Sequence, residues 1–353
     1  MRNGNVLLTG ASGFVGTHIL IELLNAGYAV RGTLRNLDRG KDILKIIKPF
    51  VPKDFELEFV YADLLNDEGW GTVTKDCDYV HHVAAPISLD VPKDPDAFIP
   101  AAVDGTLRVL NAASKNNIKR VVATSTLGAV TYGEKINKEK VFNDGDWTDP
   151  NYKGINAYIR AKTLAEKAAW DYMKNIDSNM TLTTINPGLI LGPILDPKDA
   201  GVSCEGIKQM FTGELPMYPR LGFSVVDVRD VAKCHMLAME NEKAEGHRFL
   251  CGGDFAWFSD LGAILREQYP DRKIPKMNMP NWMVHFFGIF NGGVRQLRDD
   301  LNRTQHVDIQ KTTKILGWQP RSVKEATIAT AESLIKLGIV SVSYTHLTLP
   351  TKA

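Results

Sequence analysis

Short apolar runs alternate with longer amphipathic stretches through the first half of the chain. The runs are Val6–Thr9, Ala29–Leu34, Leu57–Ala62, Tyr79–Val83, Arg120–Thr124 and Thr181–Asn186. Each is too short for a helix and is bounded by turn-forming residues, so each reads as a buried strand. Between them, His18 to Gly27 and Ala97 to Asn116 carry helical apolar stripes, the first stopped by Gly27. Strand and helix in alternation predict an α/β fold, a doubly wound parallel sheet of the Rossmann type.

From Gly188 the pattern changes. Pro187, Pro193, Pro197, Pro216 and Pro219 break the chain into loops and short mixed elements, and Lys324 to Leu337 closes it as a helix with Ala326, Ile328, Ala329, Leu334 and Ile335 apolar. We expect residues 1–187 to form a nucleotide-binding domain, with a returning segment near 222–250, and residues 188–340 to form a smaller substrate-binding α/β portion. Residues 341–353 are Thr-rich without a helical stripe and read as a non-native or disordered tail. Trp282, Met283, Phe286, Phe287 and Phe290 form an apolar cluster that fits core, pocket wall or subunit contact.

Lys+Arg 42 against Asp+Glu 41 leaves a formal charge of +1, which excludes an electrostatic grip on nucleic acid or an anionic membrane. Met277 to Val294 is interrupted by Asn278, Pro280, Asn281, His285 and Asn291, so it does not span a bilayer. Cys77, Cys204, Cys234 and Cys251 show no metal spacing, and His81, His82 and His235 lack matching ligands; packing explains the histidines, and we expect no metal. Reduced thiols and no visible export signal predict a cytoplasmic protein.

Candidate chemistry begins at Gly10-Ala11-Ser12-Gly13-Phe14-Val15-Gly16, directly after the first strand. A pyrophosphate needs backbone amides at a helix N-terminus with no side chains in the way, which makes Gly10, Ser12, Gly13, Phe14, Val15 and Gly16 candidate dinucleotide contacts. Sites for NAD place an acid about 20 residues further on. Here the second strand runs into Arg35, with Arg39 and Lys41 behind it. A guanidinium pairs with a 2′-phosphate where a carboxylate would repel it, so Arg35 predicts NADPH/NADP+. Tyr158 and Lys162 stand four apart in a stretch of helix formers, on one helix face, where an ammonium would lower the phenol pKa toward neutrality. Thr124-Ser125-Thr126 ends a strand at the carboxyl edge of the sheet, where ligands of open α/β sheets bind.

These motifs together resemble an extended short-chain dehydrogenase/reductase, in the branch of dihydroflavonol reductases, cinnamoyl-CoA reductases and fungal methylglyoxal/ketone reductases. The resemblance implies a carbonyl reductase in which Tyr158 donates the proton and Lys162 holds the ribose. It also implies that the second serine of a Thr-Ser-Ser strand end orients the carbonyl. That serine is Thr126 here, with Ser125 as the substitute. By the same resemblance Asp63 and Leu64 contact adenine, Val83, Ala84 and Ala85 (before Pro86) lie beneath the pyrophosphate, and Pro187, Gly188 and Leu189 contact nicotinamide. Asp227 to Ala232 resembles a structural hinge. The cinnamoyl-CoA branch has Asn-Trp-Tyr-Cys-Tyr where this chain has Asn156-Ala157-Tyr158-Ile159-Arg160, which disfavours a CoA thioester. The partner expected is a small-molecule aldehyde or ketone, bound by a monomer or homodimer. The alternatives are an NAD-dependent sugar-nucleotide epimerase or dehydratase, which Arg35 disfavours, and a non-enzymatic dinucleotide sensor, which would not need Tyr158 and Lys162.

Overall fold

The computed structural model describes residues 3–85, 94, 96–133, 139–199 and 202–340; Pro86 and the tail at 341–353 lie outside them. The strands are β1 Asn5–Thr9, β2 Ala29–Leu34, β3 Leu57–Tyr61, β4 Tyr79–His82, β5 Arg120–Thr124, β6 Val141–Phe142, β7 Thr181–Pro187, β8 Leu189–Leu191, β9 Gly222–Asp227, β10 Arg248–Cys251, β11 Phe255–Trp257 and β12 His306–Val307. The helices are α1 Phe14–Asn25, α2 Arg39–Ile47, α3 Trp70–Val73, α4 Ile99–Lys115, α5 Ala157–Asn175, α6 Val202–Thr212, α7 Val228–Glu240, α8 Phe258–Gln268, α9 Asn281–Phe290, α10 Gly292–Gln296, α11 Gln310–Leu316 and α12 Val323–Lys336.

Seven strands form one parallel sheet in the order β10-β7-β5-β4-β1-β2-β3. The order reverses between β1 and β4, the switch point outside whose carboxyl ends open α/β sheets bind ligands. Runs such as Val6-Leu7-Leu8 and Val121-Val122 are buried because helices cover both faces. One face packs on α1, α2 and α7, the other on α3, α4 and α5. The edge strand β10, Arg248–Cys251, pairs with β7 from far along the chain.

A third core brings together α6, α8 and α12 with the small sheet β11-β9-β8. The stripe expected on the closing helix is only partly apolar. Ala326 and Leu334 are buried there, but so are Thr327, Thr330 and Ser333. Their hydroxyls have work to do: Gly192 N donates to Thr330 Oγ1 at 2.7 Å and Ile194 N donates to Ser333 Oγ at 2.9 Å. The loop after β8 is thereby fixed by side chains, since no strand partner satisfies those amides. The boundary near residue 188 is also crossed by packing. Leu316 and Trp318 join the core around α1 and α7, and the Trp318 indole donates to Asp230 O at 2.8 Å.

The aromatic cluster does not form core. On α9 only Val284 and Gly288 are buried, whereas Trp282, Phe286, Ile289 and Phe290 face solvent. Among the described residues no helix is long and apolar enough to cross a membrane.

Thr330→Val keeps the shape of the side chain but leaves Gly192 N–H buried without an acceptor. Such a group costs about 1–3 kcal/mol, so chemical denaturation should show a lower midpoint at unchanged slope. A midpoint equal to wild type would mean that the 192–194 loop does not depend on α12.

Candidate active site

The turn after β1 is built for close backbone approach. Gly10 has φ +73°, and a Cβ there would stand 2.9 Å from the Ala84 backbone; one on Gly16 would stand 2.0 Å from Gly10 O. Thr9 Oγ1 accepts from Val83 N and Ala84 N, both at 3.0 Å, and so ties the loop after β4 to the glycine turn. Gly13 is different. A Cβ on it would meet only Gly10 O, at 3.5 Å, so this glycine leaves space over the first turn of α1. That turn has no side-chain cap and no acidic residue, and its amide dipoles point outward uncompensated. An uncluttered, uncapped helix start fits a pyrophosphate, with Ser12, Phe14 and Val15 beside it. Phe14 also packs against the core of the C-terminal portion.

At the far end of this groove Arg35 is exposed just past β2. Arg39 opens α2, half-buried, and pairs with Asp42 at 3.0 Å and Asp196 at 2.5 Å. Asp63 Oδ1 accepts from Leu65 N at 3.0 Å, which makes it a turn residue as well as a groove neighbour. Leu64 packs over Gly105 of α4.

The second half of the site rests on α5. Asn156 caps the helix by accepting from Ile159 N at 2.9 Å, which sets its start at Ala157. Tyr158, Lys162 and Glu166 then fall on successive turns of one face. Lys162 Nζ donates to Thr124 O at 2.7 Å, just behind the end of β5. Burial lowers the Lys162 ammonium to about 8, with the Glu166 carboxylate opposing. Burial pushes the Tyr158 phenol up to about 12, and this corrects the lowered value that the Tyr/Lys spacing predicts. The reason is geometric: the ammonium is spent on a backbone carbonyl, and desolvation is left to act on the phenol unopposed.

Glu166 is the residue the sequence pattern did not reveal. It is fully buried and accepts from Ser125 Oγ at 2.5 Å, Asn186 Nδ2 at 2.8 Å, Thr184 Oγ1 at 3.1 Å and Arg248 Nε at 2.6 Å. Burial pushes its carboxyl up, but the Arg248 guanidinium and the hydrogen bonds outweigh that and hold it below the usual carboxylate range. Arg248 in turn donates to Asp144 O and Asp146 O, both at 2.7 Å, and stacks on Trp147 at 3.7 Å. The one available signal was spacing: Glu166 repeats the four-residue step from Tyr158 to Lys162.

The two candidate hydroxyls are thus placed differently. Ser125 is buried and committed to Glu166, whereas Thr126 is half-buried and among the described residues its Oγ1 accepts only from Gly128 N, at 3.1 Å. Asn186 Nδ2 also donates to Thr126 O at 3.2 Å and brings the Pro187-Gly188-Leu189 segment against the end of β5. Beneath them His235 contacts Thr124 Oγ1 at 3.0 Å and His81 at 3.2 Å. Burial lowers both rings well below the usual histidine range, so they are neutral polar packing under the sheet edge. Among the described residues no group of three or more His, Cys, Asp or Glu is arranged to hold a metal.

Residues 6–252 match the profile of the NAD dependent epimerase/dehydratase family. The chain is 38% identical to a cinnamoyl-CoA reductase of Medicago truncatula over 279 residues, which are 77% of this chain and 83% of that one. In structure it is similar to the yeast methylglyoxal/isovaleraldehyde reductase Gre2 complexed with NADPH, with a TM-score of 0.78, 27% identity and coverage of 95% of this chain and 99% of that one. The Gre2–NADPH complex from Candida albicans gives a TM-score of 0.77 at 27% identity, covering 94% and 98%.

Glu166→Gln leaves the Arg248 guanidinium buried without its counter-charge. Removing one partner of such a pair costs about 3–5 kcal/mol, so the variant should unfold at clearly lower denaturant. Because the folded-state carboxyl lies below its unfolded value, this contribution is present above the usual carboxylate range and is lost as pH falls through it. The gap between wild type and variant should therefore narrow in acid. A gap of constant size down to low pH would argue that the charge of Glu166 contributes nothing.

Proposed function

Because the chain belongs to the NAD dependent epimerase/dehydratase family, we propose that it is an NADPH-dependent reductase that converts an aldehyde or ketone to the alcohol. Relatives named as reductases, two of them solved with NADPH, support oxidoreductase chemistry with NADP. The finer reading rests on one observation: Glu166 takes the Ser125 hydroxyl and leaves Thr126, at the end of β5, as the hydroxyl free to meet a carbonyl.

In this reading residues 1–187, with the returning strand β10, hold the dinucleotide, and residues 188–340 mainly wall the substrate. Gly10, Ser12, Gly13, Phe14, Val15 and Gly16 receive the pyrophosphate. Val83, Ala84 and Ala85 lie beneath it, and Asp63 and Leu64 flank the adenine. Arg35 meets the 2′-phosphate, and Pro187, Gly188 and Leu189 border the nicotinamide. When bound, NADPH supplies the hydride. Thr126 donates to the substrate oxygen and fixes its position. Tyr158 delivers the proton. A phenol raised to about 12 is fully protonated at neutral pH, so the donor is loaded before substrate arrives. Lys162 must then leave Thr124 O for the ribose hydroxyls, where its charge supports the phenolate that forms. The Medicago relative carries a CoA-thioester name, but Ala157, Ile159 and Arg160 around Tyr158 depart from that branch, and a free aldehyde or ketone is the better fit.

Tyr158→Phe should lose about 10²–10⁴-fold in turnover while still binding NADPH, the usual worth of a positioned proton donor. Thr126→Val should lose turnover by about 10²-fold, with Thr126→Ser restoring much of it. An NADPH-oxidation screen over aldehydes, diketones and β-keto esters measures both. A silent Thr126→Val beside a crippling Ser125→Ala that folds normally would reassign the hydroxyl to Ser125.

The Lys162 ammonium is charged below about 8 and neutral above it. kcat/KM for NADPH reports ionisations of the free enzyme, and it should fall as pH rises through about 8. A profile flat to strongly alkaline pH would remove the lysine charge from the mechanism.

A further inference from the structure

We infer that Asp196 is a second determinant of cofactor choice, because its carboxylate already occupies Arg39, the cation that a 2′-phosphate arriving beside Arg35 would need. The inference rests on the NADPH reading above and adds a residue from the other half of the molecule to it.

The geometry is a chain of charges that links α2 to the loop after β8. Arg39 and Asp42 belong to the first turn of α2, directly behind the Arg35 corner. Asp196 and Lys198 belong to the loop after β8. Asp196 holds Arg39 at 2.5 Å, Arg39 holds Asp42 at 3.0 Å, and Lys198 holds Asp42 at 3.2 Å. The links are unequal. The Asp196 side chain is 8% exposed and that of Arg39 20%, whereas Lys198 is 66% exposed. The outer link is a screened surface contact, and the inner one is shielded and charge-assisted. Asp196 is also held in place locally, since its Oδ1 accepts from Lys198 N at 2.9 Å. The loop that carries it is anchored further back by Gly192 and Ile194 on α12 and by Pro193 O, which lies 2.9 Å from His18 Nε2 on α1.

A 2′-phosphate brought to this corner finds Arg39 neutralised and a fixed carboxylate close by. It must displace Asp196 or accept the repulsion, and either reduces its affinity. A cofactor with a 2′-hydroxyl meets no such conflict. Asp196 therefore subtracts from the preference that Arg35 confers.

The test is equilibrium binding of adenosine 2′,5′-bisphosphate and of 5′-AMP to the full chain by calorimetry, with wild type, Asp196→Asn, Arg39→Ala and the double variant. Asparagine preserves the turn at Lys198 N and removes the charge. Asp196→Asn should tighten the bisphosphate about fivefold, the size of a partly shielded charge pair, and leave 5′-AMP unchanged. In the Arg39→Ala background the same change should be silent, because the effect passes through the shared guanidinium. A bisphosphate affinity that falls or stays level in Asp196→Asn overturns the inference. So does an equal shift with both ligands, or an effect that survives without Arg39. Failure of the underlying reading looks different: wild type would then bind 5′-AMP as tightly as the bisphosphate.

Discussion

The buried pair between Glu166 and Arg248 is the constraint on which the site depends. Two charges with side chains 1% and 8% exposed persist in the interior only when nearly every lone pair and N–H has a partner. Meeting that requirement gathers the right elements. Glu166 draws Ser125 from the end of β5, Thr184 and Asn186 from β7 and Arg248 from β10, and Arg248 draws in the carbonyls of Asp144 and Asp146. A helix and three neighbouring strands are thereby held in one register, with Ser125 and Asn186 toward the carboxyl edge of the sheet. Lys162 and Tyr158 inherit their positions from this, being one and two turns back on the same helix face.

Polar anchoring of loops recurs across the molecule. Thr9 holds the loop after β4, Thr330 and Ser333 hold the loop after β8, and Asp230 accepts from Trp318, on the backbone, and from Arg321, on the side chain. Each anchor satisfies amides or a guanidinium that no sheet ladder can reach. Loops that contact a cofactor have to depart from regular structure to expose their backbone. Side-chain hydroxyls and carboxylates supply the rigidity that hydrogen-bonded strands supply elsewhere.

This division explains what was legible in the sequence. Strands such as Ala29–Leu34 and Arg120–Thr124 are readable because short, mainly buried runs with Val30 and Leu34, or Val121 and Val122, are bounded by turn-forming residues. The glycine turn was readable because Gly10 and Gly16 leave no room for a Cβ. Tyr158 and Lys162 could be placed together because a helix period is local. Glu166 and Arg248 could not be paired, since they are 82 residues apart and nothing local distinguishes a buried glutamate from a solvated one. The closing helix is legible as a helix, but the role of its hydroxyls is not. Thr330 and Ser333 look like surface positions until the amides they serve are seen.

The ionisation of Tyr158 carries the last step. Spacing alone places a cation near the phenol and predicts a lowered pKa, but the ammonium donates to Thr124 O and the phenol is raised instead. Both facts suit a site that must hold a proton before it gives one away. A phenol depressed to neutrality would be half ionised at rest and would waste half of its encounters as a donor. In the proposed reading, with the ammonium donating to Thr124 O, the proton would stay on Tyr158 until the ribose hydroxyls of a bound dinucleotide offered Lys162 better acceptors. There its charge would support the group that becomes an anion. In the proposed reading, acid strength would come with the bound dinucleotide, acting on a phenol raised to about 12 and a lysine lowered to about 8 by burial.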